Sequence, residues 1–96
     1  MRRSNEQSIK EVISEMFEQK RFKGKLAEVD VIGHWEELVG PLISRQTEKI
    51  YFAQGKLFLH ITSPPLRQEL SYSRTKLVQI VNDYVKQELI TDVVVR

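Results

Sequence analysis

The spacing of the apolar residues changes partway along the chain, and this change limits the folds that the sequence can adopt. From Glu48 onward apolar and polar residues alternate, most clearly at Leu57, Leu59 and Ile61. Strict alternation is typical of a β-strand with one buried face. Gln54-Gly55 interrupts the alternation as a tight turn would. We therefore predict a β-hairpin that packs one face on the rest of the protein.

The alternation also assigns the two faces of that hairpin. Leu57 and its alternate neighbours should face the core, whereas Phe58, His60 and Thr62 should face solvent or a partner. A register change of one residue would exchange the two sets.

Helical spacing marks the segments before the hairpin. Ser4 and Gln7 fit a capping box at the start of a first helix, whose apolar stripe is Ile9, Val12, Ile13, Met16 and Phe17. A second stripe runs over residues 26–39 and ends at Gly40-Pro41. Between the two stripes, Lys20–Lys25 reads as a basic connector in which Gly24 separates the helices.

The segment after the hairpin predicts a long helix and a final strand. Ser63 followed by Pro64-Pro65 fits an N-cap with prolines in the first turn. The helical stripe then reaches Leu89, with a kink near Ser71-Tyr72-Ser73, and Asp92–Arg96 reads as a β-branched strand. If that strand pairs parallel to residues 57–61, we expect the crossover connection to be right-handed.

These elements define the expected fold class. The order α-α-β-β-α-β predicts an α+β protein with a three-stranded sheet packed against helices. The length of 96 residues fits one domain, which we place at residues 1–96. The polar N-terminus and the absence of a run of ~20 apolar residues predict a cytoplasmic protein without a membrane partner.

The sequence offers no candidate for catalytic chemistry. The sequence has no cysteine, so thiol catalysis and cysteine-bound metals are excluded. It has no phosphate-binding glycine loop of the usual kinds. His34 and His60 fall on different predicted elements and lack partners for acid–base chemistry. We therefore predict no catalytic residue, no cofactor and no metal.

The basic residues are the candidate binding site for nucleic acid. The net charge is +2, which permits such binding without requiring it. The dense run in the connector could contact phosphates, as could a basic arm at the N-terminus and cations near the start of the long helix. The full set is Lys20, Arg21, Lys23, Lys25, Arg2, Arg3, Arg67, Arg74 and Lys76. Scattered surface charge explains the same pattern equally well.

Trp35 is the sole tryptophan of the chain. A tryptophan can stack on a nucleic-acid base. It also falls on the stripe of Ile32 and Leu38, and aromatic residues at helical spacing usually face a core. We predict that Trp35 is a core residue.

Three blocks of sequence together resemble a known family. They are Trp35–Gly40, Gly55–Leu70 and Leu77–Asn82 followed by Ile90–Arg96. In this order and spacing they are similar to the DciA family of bacterial proteins, and the resemblance covers nearly the whole chain. It implies a KH-like fold, a role in loading the replicative helicase DnaB, DNA binding and no ATPase activity.

The sequence also departs from the family pattern. Longer members carry a C-terminal extension that contributes to partner binding, whereas this sequence stops at Arg96, as a short form would. Many members have a tryptophan where this chain has Leu66. A G-x-x-G loop, by which KH domains clamp a nucleic-acid backbone, is also missing. We therefore expect any nucleic-acid binding to depend on the basic residues.

Three functions remain open from the sequence. The first is a non-catalytic DNA-replication accessory module that engages the helicase, nucleic acid or both. The second is an RNA-binding KH-like module. The third is a protein-interaction or self-assembly domain, which could form a homo-oligomer. The exposed hairpin edge, with Tyr51 and Phe58 on the outer side of the hairpin, could pair with another chain.

Overall fold

The computed structural model describes residues 20–96, with side chains from Lys23 onward. The first predicted helix, Arg2 and Arg3 lie outside the described residues. The elements in chain order are α1 (Lys20–Gly33), α2 (Trp35–Val39), α3 (Pro41–Gln46), β1 (Thr47–Ala53), β2 (Lys56–Ile61), α4 (Pro64–Tyr72), α5 (Arg74–Val85) and β3 (Asp92–Val95). This α+β architecture with a three-stranded sheet confirms the predicted fold class.

The sheet has the strand order β1-β2-β3, so β2 is the central strand. β1 pairs antiparallel to β2, with Tyr51 opposite Phe58. The turn between them places Gln54 and Gly55 at φ 53° and 72°, and two positive φ values are what a two-residue type I′ hairpin turn requires. β3 pairs parallel to β2. The predicted hairpin and the predicted final strand are confirmed, and the structure shows that this strand runs parallel to β2.

The core lies between the sheet and the helices. Leu57 and Leu59 are 0% exposed and Ile61 is 2% exposed, which confirms the face assigned to them from the sequence. The other buried members of the core cluster are Val31, Trp35, Leu70, Leu77, Val81, Ile90 and Val93. Burial of such side chains stabilises the fold by roughly 1.5–3 kcal/mol each.

Trp35 fixes the short helices against the sheet. Its side chain is 4% exposed, and its indole Nε1–H donates to Thr47 Oγ1 over 3.1 Å. The Thr47 hydroxyl in turn donates to the Ile43 carbonyl over 2.7 Å. A buried indole needs such a partner, and this chain of bonds links α2, α3 and β1. The prediction that Trp35 is a core residue is confirmed.

The predicted long helix is two helices. Ser63 caps α4 by accepting from the Leu66 N–H over 3.4 Å. Ser73, at φ −108° and ψ 21°, separates α4 from α5, close to the expected kink. α5 ends at Val85, earlier than the predicted Leu89, and its C-cap Lys86 is in the left-handed conformation. The Asn82 side chain, near the end of α5, holds the loop that follows. Its Oδ1 accepts from the Ile90 N–H over 3.1 Å and its Nδ2 donates to the Ile90 carbonyl over 2.9 Å.

The basic segment at the start of α1 corrects a prediction. Gly24 does not separate two helices, and Lys20–Lys25 is not a connector, because α1 runs unbroken from Lys20 to Gly33. Lysine and arginine are good helix formers, and one glycine costs only ~1 kcal/mol relative to alanine. The helical segment predicted over residues 26–39 instead divides at Gly33 and His34.

We predict that Trp35→Ala destabilises the protein by about 3–5 kcal/mol, because it leaves a cavity in the core and removes the partner of Thr47. Val29→Ala is the matched control, since Val29 lies on α1 and is 64% exposed; it should change stability by less than about 0.5 kcal/mol. Urea unfolding followed by circular dichroism measures both. A loss below about 1 kcal/mol for Trp35→Ala would contradict this account of the core.

Candidate nucleic-acid interface

The basic run of α1 lies in the first two turns of a helix. The backbone of Lys20 and Arg21 is helical, and the side chains of Lys23 and Lys25 are exposed. Lys25 Nζ lies 3.8 Å from Glu28 Oε1, one turn further along the helix. Exposed pairs of this kind contribute little to stability, so Lys25 can exchange this carboxylate for a phosphate.

The cations of α4 and α5 are held by different partners. Arg67 Nη1 donates to the Ile61 carbonyl over 2.9 Å, in a partly buried position. Arg74 Nη1 lies 3.9 Å from Asp92 Oδ2. Lys76 is exposed. The hydrogen bond from Arg67 thus links α4 to the last residue of β2.

The predicted cations whose side chains the structure describes do not form one surface. Arg67 binds at Ile61, the last residue of β2, whereas Arg74 binds at Asp92, which pairs with the first residue of β2. These two ends lie about 16 Å apart along the strand. Lys23 lies beside Tyr84 and Val85 at the far end of α5 from Arg74.

The outer face of the sheet carries a different set of side chains, which we call the open face. Its members alternate with the core-facing residues on all three strands: Lys49, Tyr51, Ala53, Lys56, Phe58, His60, Asp92, Val94 and Arg96. Among the described residues, none of this set belongs to the core cluster. The helices supply their apolar side chains to the other face.

Aromatic rings stack across the open face. Tyr51 and Phe58 are directly opposite on β1 and β2, with ring centroids 4.9 Å apart and planes within 3° of parallel. The Arg96 guanidinium carbon lies 5.2 Å from the Phe58 ring centroid. Arg96 lies beside Phe58 because its backbone continues the pairing of β3 with β2. The Arg96 N–H donates to the Leu59 carbonyl over 2.8 Å. Tyr51 and Arg96 come from opposite neighbours of β2, so Phe58 lies between them.

The open face is also basic. Lys49, Lys56 and Arg96 carry positive charge, and Asp92 carries negative charge. The Asp92 carboxylate is already engaged: Oδ1 accepts from the Val93 N–H over 2.8 Å and Oδ2 faces Arg74. An anion that approaches the face therefore meets mainly cations.

His60 has an unsatisfied ring nitrogen on this face. Its ring centroid lies 5.9 Å from that of Tyr51, with the planes tilted by 41°. Its Nε2 is shielded from solvent and has no hydrogen-bond partner among the residues that the structure describes. A buried polar atom without a partner costs roughly 1–3 kcal/mol. His60 is therefore a polar group whose hydrogen bonding the described chain leaves incomplete.

A second cluster of titratable groups joins α1 to α5. His34 Nδ1 lies 2.9 Å from Asp30 Oδ1 and 3.0 Å from the Asp30 carbonyl, and the Tyr84 hydroxyl donates to Asp30 Oδ1 over 3.1 Å. The hydrogen bond to the Asp30 carbonyl, followed by the charges of Asp30 and Glu37, raises the pKa of His34 against an opposing effect of desolvation. Desolvation, then the bond to Asp30, raises the pKa of Tyr84. These contacts tie the two helices together.

The helices enclose an apolar cleft and leave apolar side chains exposed. The cleft has a volume of about 340 Å³ and lies between α2–α3 and α4–α5. Leu42 on its rim is 60% exposed. On α1, Leu26, Val29 and Ile32 are 46%, 64% and 41% exposed, and we call these three residues the α1 ridge. Residues 20–96 contain no cluster of carboxylates and histidines that could hold a metal ion, and no helix among them could span a membrane.

The described part of the chain is a small α+β unit that presents a basic, aromatic face on its sheet. Comparison with known families shows the class of protein. The model of the family described as Dna[CI] antecedent, DciA, matches residues 8–95, and this chain belongs to the DciA family. The family is associated with helicase loading in DNA replication and is not a known catalytic family. No curated protein and no solved structure matches the chain significantly.

Sequence reasoning placed Tyr51 and Phe58 on the outer side of the hairpin but missed the cations beside them. The alternation already places these lysines on the outer face, since Lys49 is two residues from Tyr51 on β1 and Lys56 is two residues from Phe58 on β2. Arg96 could not be placed in the same way, because its position over Phe58 depends on the parallel register of β3. That register was not encoded in any local pattern.

We predict that His60→Leu raises the free energy of unfolding by about 1 kcal/mol, because it removes a buried nitrogen that lacks a partner. His34→Leu is the matched control: His34 has hydrogen-bond partners in Asp30, so its replacement should not stabilise the protein. Urea unfolding followed by circular dichroism measures the two variants. Destabilisation by His60→Leu would show that its ring makes a favourable polar contact.

Proposed function

We propose that this chain is a non-catalytic accessory module of DNA replication that engages the replicative helicase DnaB and nucleic acid. The match of the DciA family to residues 8–95 carries the proposal. The replicative helicase acts inside the cell, so we place the protein in the cytoplasm. A KH-like relationship is part of the proposal and is supported by the order β-β-α-α-β with its final strand parallel to β2.

The α1 ridge supports contact with a protein partner. The opposite side of α1 packs on the core through Ala27 and Val31, which are 8% and 0% exposed. α1 thus presents apolar side chains both toward the core and away from it. The exposed cleft beside Leu42 adds a second apolar surface. Exposed apolar patches of this kind are typical of interaction sites.

Cations on two surfaces support contact with nucleic acid. The helical set at Lys20, Arg21, Lys23 and Lys25, with Arg74 and Lys76 on α5, can attract a phosphate backbone without reading its sequence. Arg2 and Arg3 belong to the same proposal from their charge alone, and Arg67 contributes less because its guanidinium is bound to Ile61. RNA would meet the same cations, so RNA binding remains the alternative.

Self-assembly is a second candidate function. The α1 ridge and the cleft could cover each other in a second copy of the chain, because both are apolar and exposed. Sedimentation equilibrium distinguishes the two candidates, since a self-associating protein gains mass with concentration in the absence of helicase.

We predict that the immobilised protein retains purified replicative helicase from the same organism. Val29→Asp should weaken retention by about tenfold or more, because it places a charge at the centre of the ridge. Tyr72→Asp is the matched control on α4, where Tyr72 is 80% exposed and lies outside the ridge; it should leave retention unchanged. Failure of the parent protein to retain helicase under low-salt conditions would contradict the proposal.

A further inference from the structure

We propose that the open face binds single-stranded DNA, with one base stacked on Tyr51 and the flanking phosphates held by Lys49, Lys56 and Arg96. The inference rests on the proposed engagement of nucleic acid and names the surface and the form of nucleic acid that it takes. It differs from the expectation drawn from the sequence, which assigned binding to the basic run Lys20–Lys25, helped by the N-terminal arginines and by the cations near the start of the long helix.

The stacked rings provide a column that a base can extend. Phe58 has Tyr51 on one side and the Arg96 guanidinium on the other, so its ring faces are occupied. Tyr51 comes from β1, which is an edge strand of the sheet. Its ring therefore has one face on Phe58 and the other toward the sheet edge. A base stacked there continues the series Arg96, Phe58, Tyr51.

The cations are placed on both sides of the aromatic row. Lys49 lies in the row of His60, and Lys56 lies in the row of Ala53, with Tyr51 and Phe58 in the row between them. Each row is about 7 Å from the next along the strand. A backbone that runs along the strands past a stacked base thus meets a lysine before it and a lysine after it. The charge of this face is complementary to a polyanion.

The same geometry favours a single strand over a duplex. A ring can stack on a base only where the base has a free face, and in a duplex those faces are covered by neighbouring pairs. The association of the family with DNA replication selects DNA as the strand.

The test compares a labelled oligothymidylate with an abasic strand of the same length and charge, by fluorescence anisotropy. The abasic strand keeps the phosphates and removes the stacking partner. The parent protein should bind oligothymidylate about 5- to 100-fold more tightly than the abasic strand, as expected for base–aromatic stacking. Tyr51→Leu should remove that preference, and Tyr51→Phe should retain it because the ring remains.

Three controls separate stacking from attraction to phosphate. Tyr72→Leu, at an exposed tyrosine of α4, should leave the preference unchanged. Reversal of Lys20, Arg21, Lys23 and Lys25 to glutamate should weaken both strands equally. Duplex DNA and oligouridylate serve as competitors, and duplex should compete poorly for the open face. Competition by oligouridylate equal to that by oligothymidylate would show that the face does not select DNA and would overturn that choice.

Lys49→Glu with Lys56→Glu provides a second route if Tyr51→Leu does not fold, since both lysines are exposed. This variant should bind both strands more weakly, with the salt slope reduced by about 0.7 for each phosphate that a lysine no longer neutralises. An unchanged affinity and slope would overturn the proposal.

Failure of the inference and failure of the proposed function give different results. Equal binding of the two strands by the parent protein, or a folded Tyr51→Leu variant that keeps the preference, would overturn the open face as a stacking site while nucleic-acid engagement stands. Binding of neither strand at low salt would overturn both.

Discussion

The alternation of side chains along the central strand β2 is the constraint on which the rest of the structure depends. Leu57, Leu59 and Ile61 point to one side and close the core, so Phe58 and His60 must point to the other. β1 and β3 pair with β2 on its two edges and adopt the same division. A shift by one residue would place His60 in the core and expose the leucines, at a cost that excludes it.

The helices then lie on one side of the sheet because the apolar residues are there. Trp35, bonded to Thr47, sets α2 and α3 against β1, and Asn82, bonded to Ile90, sets the end of α5 against the start of β3. Together these contacts leave the other side to Tyr51, Phe58 and the cations around them. A basic aromatic surface is therefore a consequence of how this core is closed, and its chemistry suits a single-stranded polyanion.

The sequence predicted correctly those elements whose residues interact mainly with their neighbours along the chain. The period-two alternation defined the hairpin and its faces, Gln54-Gly55 marked the turn, and Ser63 marked the cap of α4. Trp35 was assigned to the core from its place on a helical stripe. Gly24 was wrongly predicted to separate two helices, because glycine often ends a helix. Here the residues on both sides favour helix, and α1 continues through Gly24.

The candidate site was predicted less well, because it depends on distances that no local pattern contains. Lys23 and Arg74 appear as parts of one basic set in the sequence, yet they lie near opposite ends of α5. Lys49 and Arg96 are distant in the sequence, yet they flank the same aromatic pair once β3 pairs with β2. The family resemblance was confirmed over residues 8–95, but a resemblance names a class of function and does not place a surface.

The claim that one face of the sheet closes the core while the other binds a single strand is tested most directly by residue-resolved titration. The measurement is the change in backbone amide resonances on addition of oligothymidylate to the isotope-labelled protein. The account predicts that the changes concentrate at Lys49, Tyr51, Phe58, His60 and Arg96, with smaller changes at Lys23 and Lys25. Changes confined to α1 and the start of α5, with the resonances of Tyr51 and Phe58 unmoved at saturation, would contradict it.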